Sequence, residues 1–214
     1  MGNDLRTRVE GQDDHRRSAR AKQLDSAITE LERSEGRICC PQFLSMLAEL
    51  HMLDGMTEDA GRAVNRGIEL TESGNNDYLA ELLRIKAQLA QEAGDKLSTS
   101  RKLLDDALEV SRAQGALTQE IRVLISAVAL EHGTTRESPL RRRLHSAMAG
   151  ISIDETSHEI MLARQVLAKP KANAQTAAGW WRSLLLRSPI GVARALSAAK
   201  PSPPKAKAAT SDQE

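Results

Sequence analysis

Aromatic residues are nearly missing: one Phe, one Tyr and two Trp make up 2% of the 214 residues. A core without them has to be packed by aliphatic side chains, and Leu and Ala, both strong helix formers, supply it. Cysteine is equally sparse. Cys39 and Cys40 are adjacent, which gives neither metal-ligand spacing nor a disulfide framework. No apolar run approaches the ~20 residues that a transmembrane helix needs. The stretch from Met1 to Gln23 is polar and charged, unlike a secretory signal, so cytoplasmic residence is expected. Neither charge sign dominates: the net charge is +1 although 28% of residues are charged, and the chain as a whole is not built to grip nucleic acid.

Catalytic signatures are missing as well. Ala93-Gly94-Asp95-Lys96-Leu97 holds a Gly and a Lys but lacks the spacing of a phosphate-binding loop, and reads as a helix-ending turn. His158-Glu159 opens a zinc-protease pattern, but its second His position is Leu162. His51 falls at a packing position and is expected to be a satisfied inter-helix histidine. Cys39-Cys40 reads as a buried, inert pair at a helix start. No catalytic residue, metal ligand or cofactor site is expected, and the scattered carboxylates read as solvated helix surface.

What is present is periodic. Glycines at 36, 55, 74, 94, 115 and 133 are separated by 19, 19, 20, 21 and 18 residues. Glycine just past a helix end adopts the left-handed cap conformation without a Cβ penalty. A cap every ~20 residues implies helices of about four turns joined by short loops. The helices repeat in pairs: Ala27, Gly67 and Ala107 are 40 apart, as are Leu24, Val64 and Leu104. Leu44 and Ala48 match Leu83 and Ala87 at an offset of 39, and Leu117 to Glu131 supplies a third copy. Small residues at Ala48, Ala60, Gly67, Ala87, Ser100 and Ala107 mark expected close crossings, with Leu117, Ile121, Leu124 and Val128 as flanking aliphatics. A fixed period of this size predicts an all-α, antiparallel helix-pair solenoid of about three pairs.

Pro41 to Glu72 fits the tetratricopeptide pattern without a gap. Leu44, Leu47, Ala48 and His51 take first-helix positions, and Ala60, Val64 and Gly67 second-helix positions. The tracts Phe43 to Gly55 and Ala80 to Leu89 resemble the C-terminal helical repeats of a large bacterial group. Its members are multidomain signalling proteins that join a class III adenylate cyclase or winged-helix domain to an AAA-like ATPase and a tetratricopeptide tail. The resemblance covers roughly residues 20 to 168; the cyclase, winged-helix and ATPase parts have no counterpart here. It implies a non-catalytic scaffold for protein–protein interaction in signal transduction or transcriptional regulation. It also places a polar, partner-binding groove on the exposed first-helix positions Gln42, Ser45, Glu49, Met52, Glu81, Arg84, Gln88 and Gln91, suited to an extended peptide or partner helix.

The chain then divides into a polar segment (1–18), the repeats (19–133), degenerate capping helices (134–170) and a basic, disordered tail (171–214). Thr134 to Pro139 reads as a loop, and Arg141 to Met148 as a short helix. Ser157 to Lys169 reads as a helix with Ile160, Leu162, Ala163, Val166 and Leu167 inward. The tail carries +5 and the rest −4. Trp180, Trp181, Arg182, Leu185 and Arg187 suit packing on the last repeat, or the alternative of a peripheral membrane adaptor. At the other edge, Leu24, Ala27, Ile28 and Leu31 should form an apolar face that residues 1–15, with only Leu5 and Val9, cover poorly. Self-association or fraying of this edge is expected.

Overall fold

The computed structural model describes residues 19–72, 77–149 and 158–168. Among the described residues the regular structure is helical throughout, with no strand. Helix α1 covers residues 19–32, and a 3₁₀ turn, Glu35–Cys39, leads into α2, Cys40–Leu53. There follow α3 (Thr57–Glu72), α4 (Leu79–Glu92), α5 (Leu97–Ala113), α6 (Leu117–Leu130), α7 (Glu137–Ala149) and α8 (His158–Ala168). No helix of the described residues is long and apolar enough to cross a membrane. The expectations placed on Gly74, residues 1–18 and the tail residues Trp180, Trp181, Arg182, Leu185 and Arg187 lie outside the described residues.

Glycine punctuates the chain as its spacing implies. Gly55, Gly94, Gly115 and Gly133 all have φ between 63° and 79°. Past α2, α4 and α5 the backbone folds back on itself: Met56 N–H donates to His51 O, Asp95 to Ala90 O and Ala116 to Ser111 O, at 2.8–2.9 Å. These bonds satisfy carbonyls that a helix end would otherwise leave bare. Gly36 is different, because it lies inside the 3₁₀ turn and not at a left-handed cap. Residues 134–139 also depart from the expected loop. Glu137, Ser138 and Pro139 already form the first turn of α7, where a proline needs no amide partner.

From α2 to α7 each helix packs on its neighbour in sequence, most extensively α2 on α3 and α4 on α5. Alternate helices, the first helices of the expected pairs, also meet in succession: α2 touches α4, α4 touches α6 and α6 touches α8. The small residues sit where these crossings are tight. Ala48, Ala60, Ala87, Ser100 and Ala107 are all buried. At Gly67 a Cβ would come within 2.8 and 2.9 Å of the two Cδ atoms of Leu82. Ala27, the earliest member of that 40-residue series, is exposed instead. Ala21 and Ile28 form the buried side of α1, with Leu24 and Leu31 partly covered.

Two apolar clusters result, and α4 is the wall between them. Ile85 joins the cluster of Ile28, Leu44, Met52 and Val64, while Ala87 joins that of Leu104, Ile121, Leu124, Leu144 and Val166. In α8, Ile160, Ala163 and Val166 are buried, with Leu162 and Leu167 packed at the edge, so its expected inward face is present. Arg141 holds α8 in place, with Nη1 donating to the carbonyls of Val166 (2.9 Å) and Leu167 (3.2 Å). Its Nε pairs with Glu137 at 2.7 Å.

Candidate functional site: the face shared by α2, α4 and α6

Helical spacing places Glu81, Arg84 and Gln88 on one face of α4, and Ser45 and Glu49 on one face of α2. Because α4 lies between α2 and α6, these faces meet. Arg84 is the hub. Its Nη2 donates to Glu49 Oε1 and to Glu81 Oε1, both at 2.7 Å, and its Nε donates to Glu81 Oε2 at 2.9 Å. Arg122, on α6, closes the cluster: Nη1 lies 3.0 Å from Glu81 Oε1, and Nη2 lies 3.4 Å from Glu49 Oε1. Two carboxylates and two guanidiniums thus form a neutral network across three helices that are far apart in sequence.

The network is withdrawn from water. The side chains of Glu49, Glu81 and Arg84 are 5%, 2% and 6% accessible, against 27% for Arg122. Burial by itself raises the Glu81 carboxyl, but Arg122 and Arg84 overcome it and hold the group at about 2. Burial likewise works against a charged Arg84, yet Glu81 and Glu49 lift its pKa above the ordinary value. Glu81 and Arg84 are therefore both held in their charged forms at neutral pH. A charged group leaves water at acceptable cost only when its partners supply the lost hydrogen bonds.

This corrects the picture of an open groove. Of the eight positions expected to be exposed, Ser45, Glu49, Met52, Glu81, Arg84 and Gln88 are buried, while Gln42 and Gln91 are half-buried. The reason is that adjoining first helices turn these positions toward one another. Met52 belongs to the apolar cluster, and the Ser45 hydroxyl donates back to Gln42 O at 2.7 Å. Gln88 is buried with Oε1 lacking a partner. The residue the sequence reading missed is Arg122. Its signal was its position 38 residues after Arg84, close to one repeat later.

Other expectations also shift. His51 is half-buried, but its Nδ1 is enclosed without a hydrogen-bond partner, so it is not the satisfied histidine expected. Cys39 is exposed, and only Cys40 is buried. Burial, reinforced by Glu32, pushes the Cys40 thiol up and makes it a poor nucleophile. Among the described residues no group of three or more His, Cys, Asp or Glu is placed to hold a metal. Gly94 lies in the helix-ending turn between α4 and α5 that its context implied. Compared with known proteins, the chain matches no family model, no curated protein and no solved structure.

Proposed function

We propose that this chain is a tetratricopeptide-like solenoid of antiparallel helix pairs that serves as a non-catalytic protein-binding module, working in the cytoplasm in bacterial signal transduction or transcriptional regulation. The observation that carries this reading is the succession of first helices, α2 to α4 to α6 to α8, each also packed on its neighbour in sequence. Stacked pairs of this kind each bury their apolar side against the next and present one aligned face along the stack. A non-catalytic role agrees with the chemistry at that face, where each carboxylate and guanidinium of the network is engaged by another. The partner is a protein segment that meets the rim left accessible by Arg122, Gln42 and Gln91, while Glu49, Glu81 and Arg84 hold the helices that present it.

Site-specific photo-cross-linking tests this reading. A cross-linking residue at position 42 or 122 should capture a discrete partner from bacterial cytosol, and one at the exposed Glu109 should not. Equal capture at all three sites, or none at the first two, would remove the aligned face as the binding surface.

A further inference from the structure

Behind the inner network lies a second surface. At about 100° per residue, Lys86, Leu89 and Ala93 fall on the side of α4 opposite Arg84. There they line a groove of about 420 Å³ whose walls are early turns of α3 and α5. Its apolar floor comes from Val64, Leu89 and Leu103, one from each helix. The wall at Gly61 is open, since a Cβ there would meet nothing within 4 Å. The charges that line the groove are unequal. Glu58, Glu92 and Asp95 stand against Lys86, whose Nζ donates to Asn65 Oδ1 at 3.1 Å. An apolar floor under an acidic rim fits a cationic segment that carries a large apolar side chain.

The chain itself carries such a segment. No carboxylate lies between Glu159 and Asp212, and within that stretch Trp180 and Trp181 are followed by Arg182 and Arg187. We propose that the groove between α3 and α5 receives the Trp180-Trp181-Arg182 segment of the same chain, with an indole on the apolar floor and the Arg182 guanidinium at the acidic rim. An indole joins a large apolar face to one N–H, which suits an apolar floor with polar walls. A guanidinium makes charge-assisted hydrogen bonds to carboxylates. The tether is long enough: the twelve residues from Ala168 to Trp180 span up to about 40 Å. Two helix spacings of about 10 Å each, through α6, separate α8 from α4. Because the groove lies on the far side of α4 from the face shared with α2 and α6, the docking does not depend on what binds at that face.

Both tryptophans of the chain lie in this segment, so selectively excited tryptophan emission of the full chain reports on it alone. In wild type the emission should lie to the blue of that of the same chain unfolded in urea, be shielded from acrylamide and stay unchanged on dilution. Gly61→Met puts a side chain into the groove and replaces glycine with a better helix former, so the chain should melt no lower while the blue shift is lost. Glu92→Lys with Asp95→Lys reverses the rim and should lose the shift by a second route; it supplies the test if the first variant folds poorly. Wild-type emission as red as in urea overturns the docking. So does a blue shift that both variants keep, which places the indoles elsewhere, such as on the last repeat. A shift that disappears on dilution overturns the intramolecular arrangement and assigns the groove to the same segment of a second copy.

Discussion

Arg84 on α4 and Glu49 on α2 are 35 residues apart in sequence and 2.7 Å apart in space, and neither side chain is more than 6% accessible. Removing either partner strands a charge where water does not reach. Arg84→Ala should therefore destabilise the chain by about 3 to 5 kcal/mol, the usual effect of breaking a buried ion pair from one side. Arg122→Ala removes a cation that is 27% accessible and should cost about 1 kcal/mol. Urea unfolding followed by helical circular dichroism orders the two; equal losses would mean that the network is not anchored at Arg84.

Acid should act on the same network in a defined window. Glu81 is held at about 2 in the folded chain, below its ordinary value of 4.5. A carboxyl depressed in this way contributes stability that is fully present above the unfolded value and is lost as pH falls through the folded one. Glu131, paired with Arg101, and Glu137, bonded by Gly133 N–H and Arg141, are depressed as well. The urea midpoint should be flat with respect to these groups above pH 5, decline below 4.5 and continue to decline toward 2. Glu81→Gln should decline less steeply. A wild-type midpoint unchanged between pH 5 and 3 would contradict this linkage.

Gly67 is placed for close approach, since its backbone lies in mid-helix. Alanine there removes the entropic penalty of glycine, worth up to about 1 kcal/mol. Against that, the added Cβ meets the Leu82 Cδ atoms at 2.8 and 2.9 Å, and Leu82 is fully buried, so its shift has to be taken up by the packed core. Overpacking of this kind costs about 1 to 3 kcal/mol and should win, so Gly67→Ala destabilises. Combining it with Leu82→Ala should give a loss smaller than the sum of the single losses. Strict additivity would show that the crossing of α3 and α4 is looser than these distances imply.

Arg66 adds a polar tie between α3 and α1 to the apolar packing of Ala21 and Ile28. From α3 it reaches Glu32 at 2.6 Å, Asp25 at 2.8 Å and the Thr29 hydroxyl at 3.0 Å. Arg66→Met should speed amide exchange across residues 19–32 while leaving α6 protected, because α1 is the first of the described helices and α6 packs on α4, α5, α7 and α8. Exchange that rises uniformly along the chain would mean that α1 is part of one cooperative unit and that the expected fraying edge does not exist.

The helical character and the spacing of the turns were legible in the sequence because both are local. Glycine past a helix end announces itself, and so do small residues recurring every 40 positions. The pair of Leu44 and Ala48 identified the packing side of α2 correctly. The inner face was misread for a non-local reason. Whether Glu49 or Glu81 faces water depends on what the adjoining helix presents: no residue within a turn of Glu49 discloses Arg84, and none within a turn of Glu81 discloses Glu49 or Arg122. Pro139 misled in the other direction: a proline that often ends a helix here sits in the opening turn of one.

The inner network also makes the helices that carry it unequal as units of rearrangement. The pair α4–α5 contributes one acid and one base to the network, Glu81 and Arg84, whereas α2 contributes only Glu49 and α6 only Arg122. Excision of the middle pair would remove no net charge from the interior and would leave Glu49 and Arg122 as prospective partners. Loss of α2–α3 would strand a cation, and loss of α6–α7 an anion. A shortened version of this chain, natural or engineered, is therefore expected to be spliced through its centre, where the interior charge cancels, and not trimmed by a pair from either side of it.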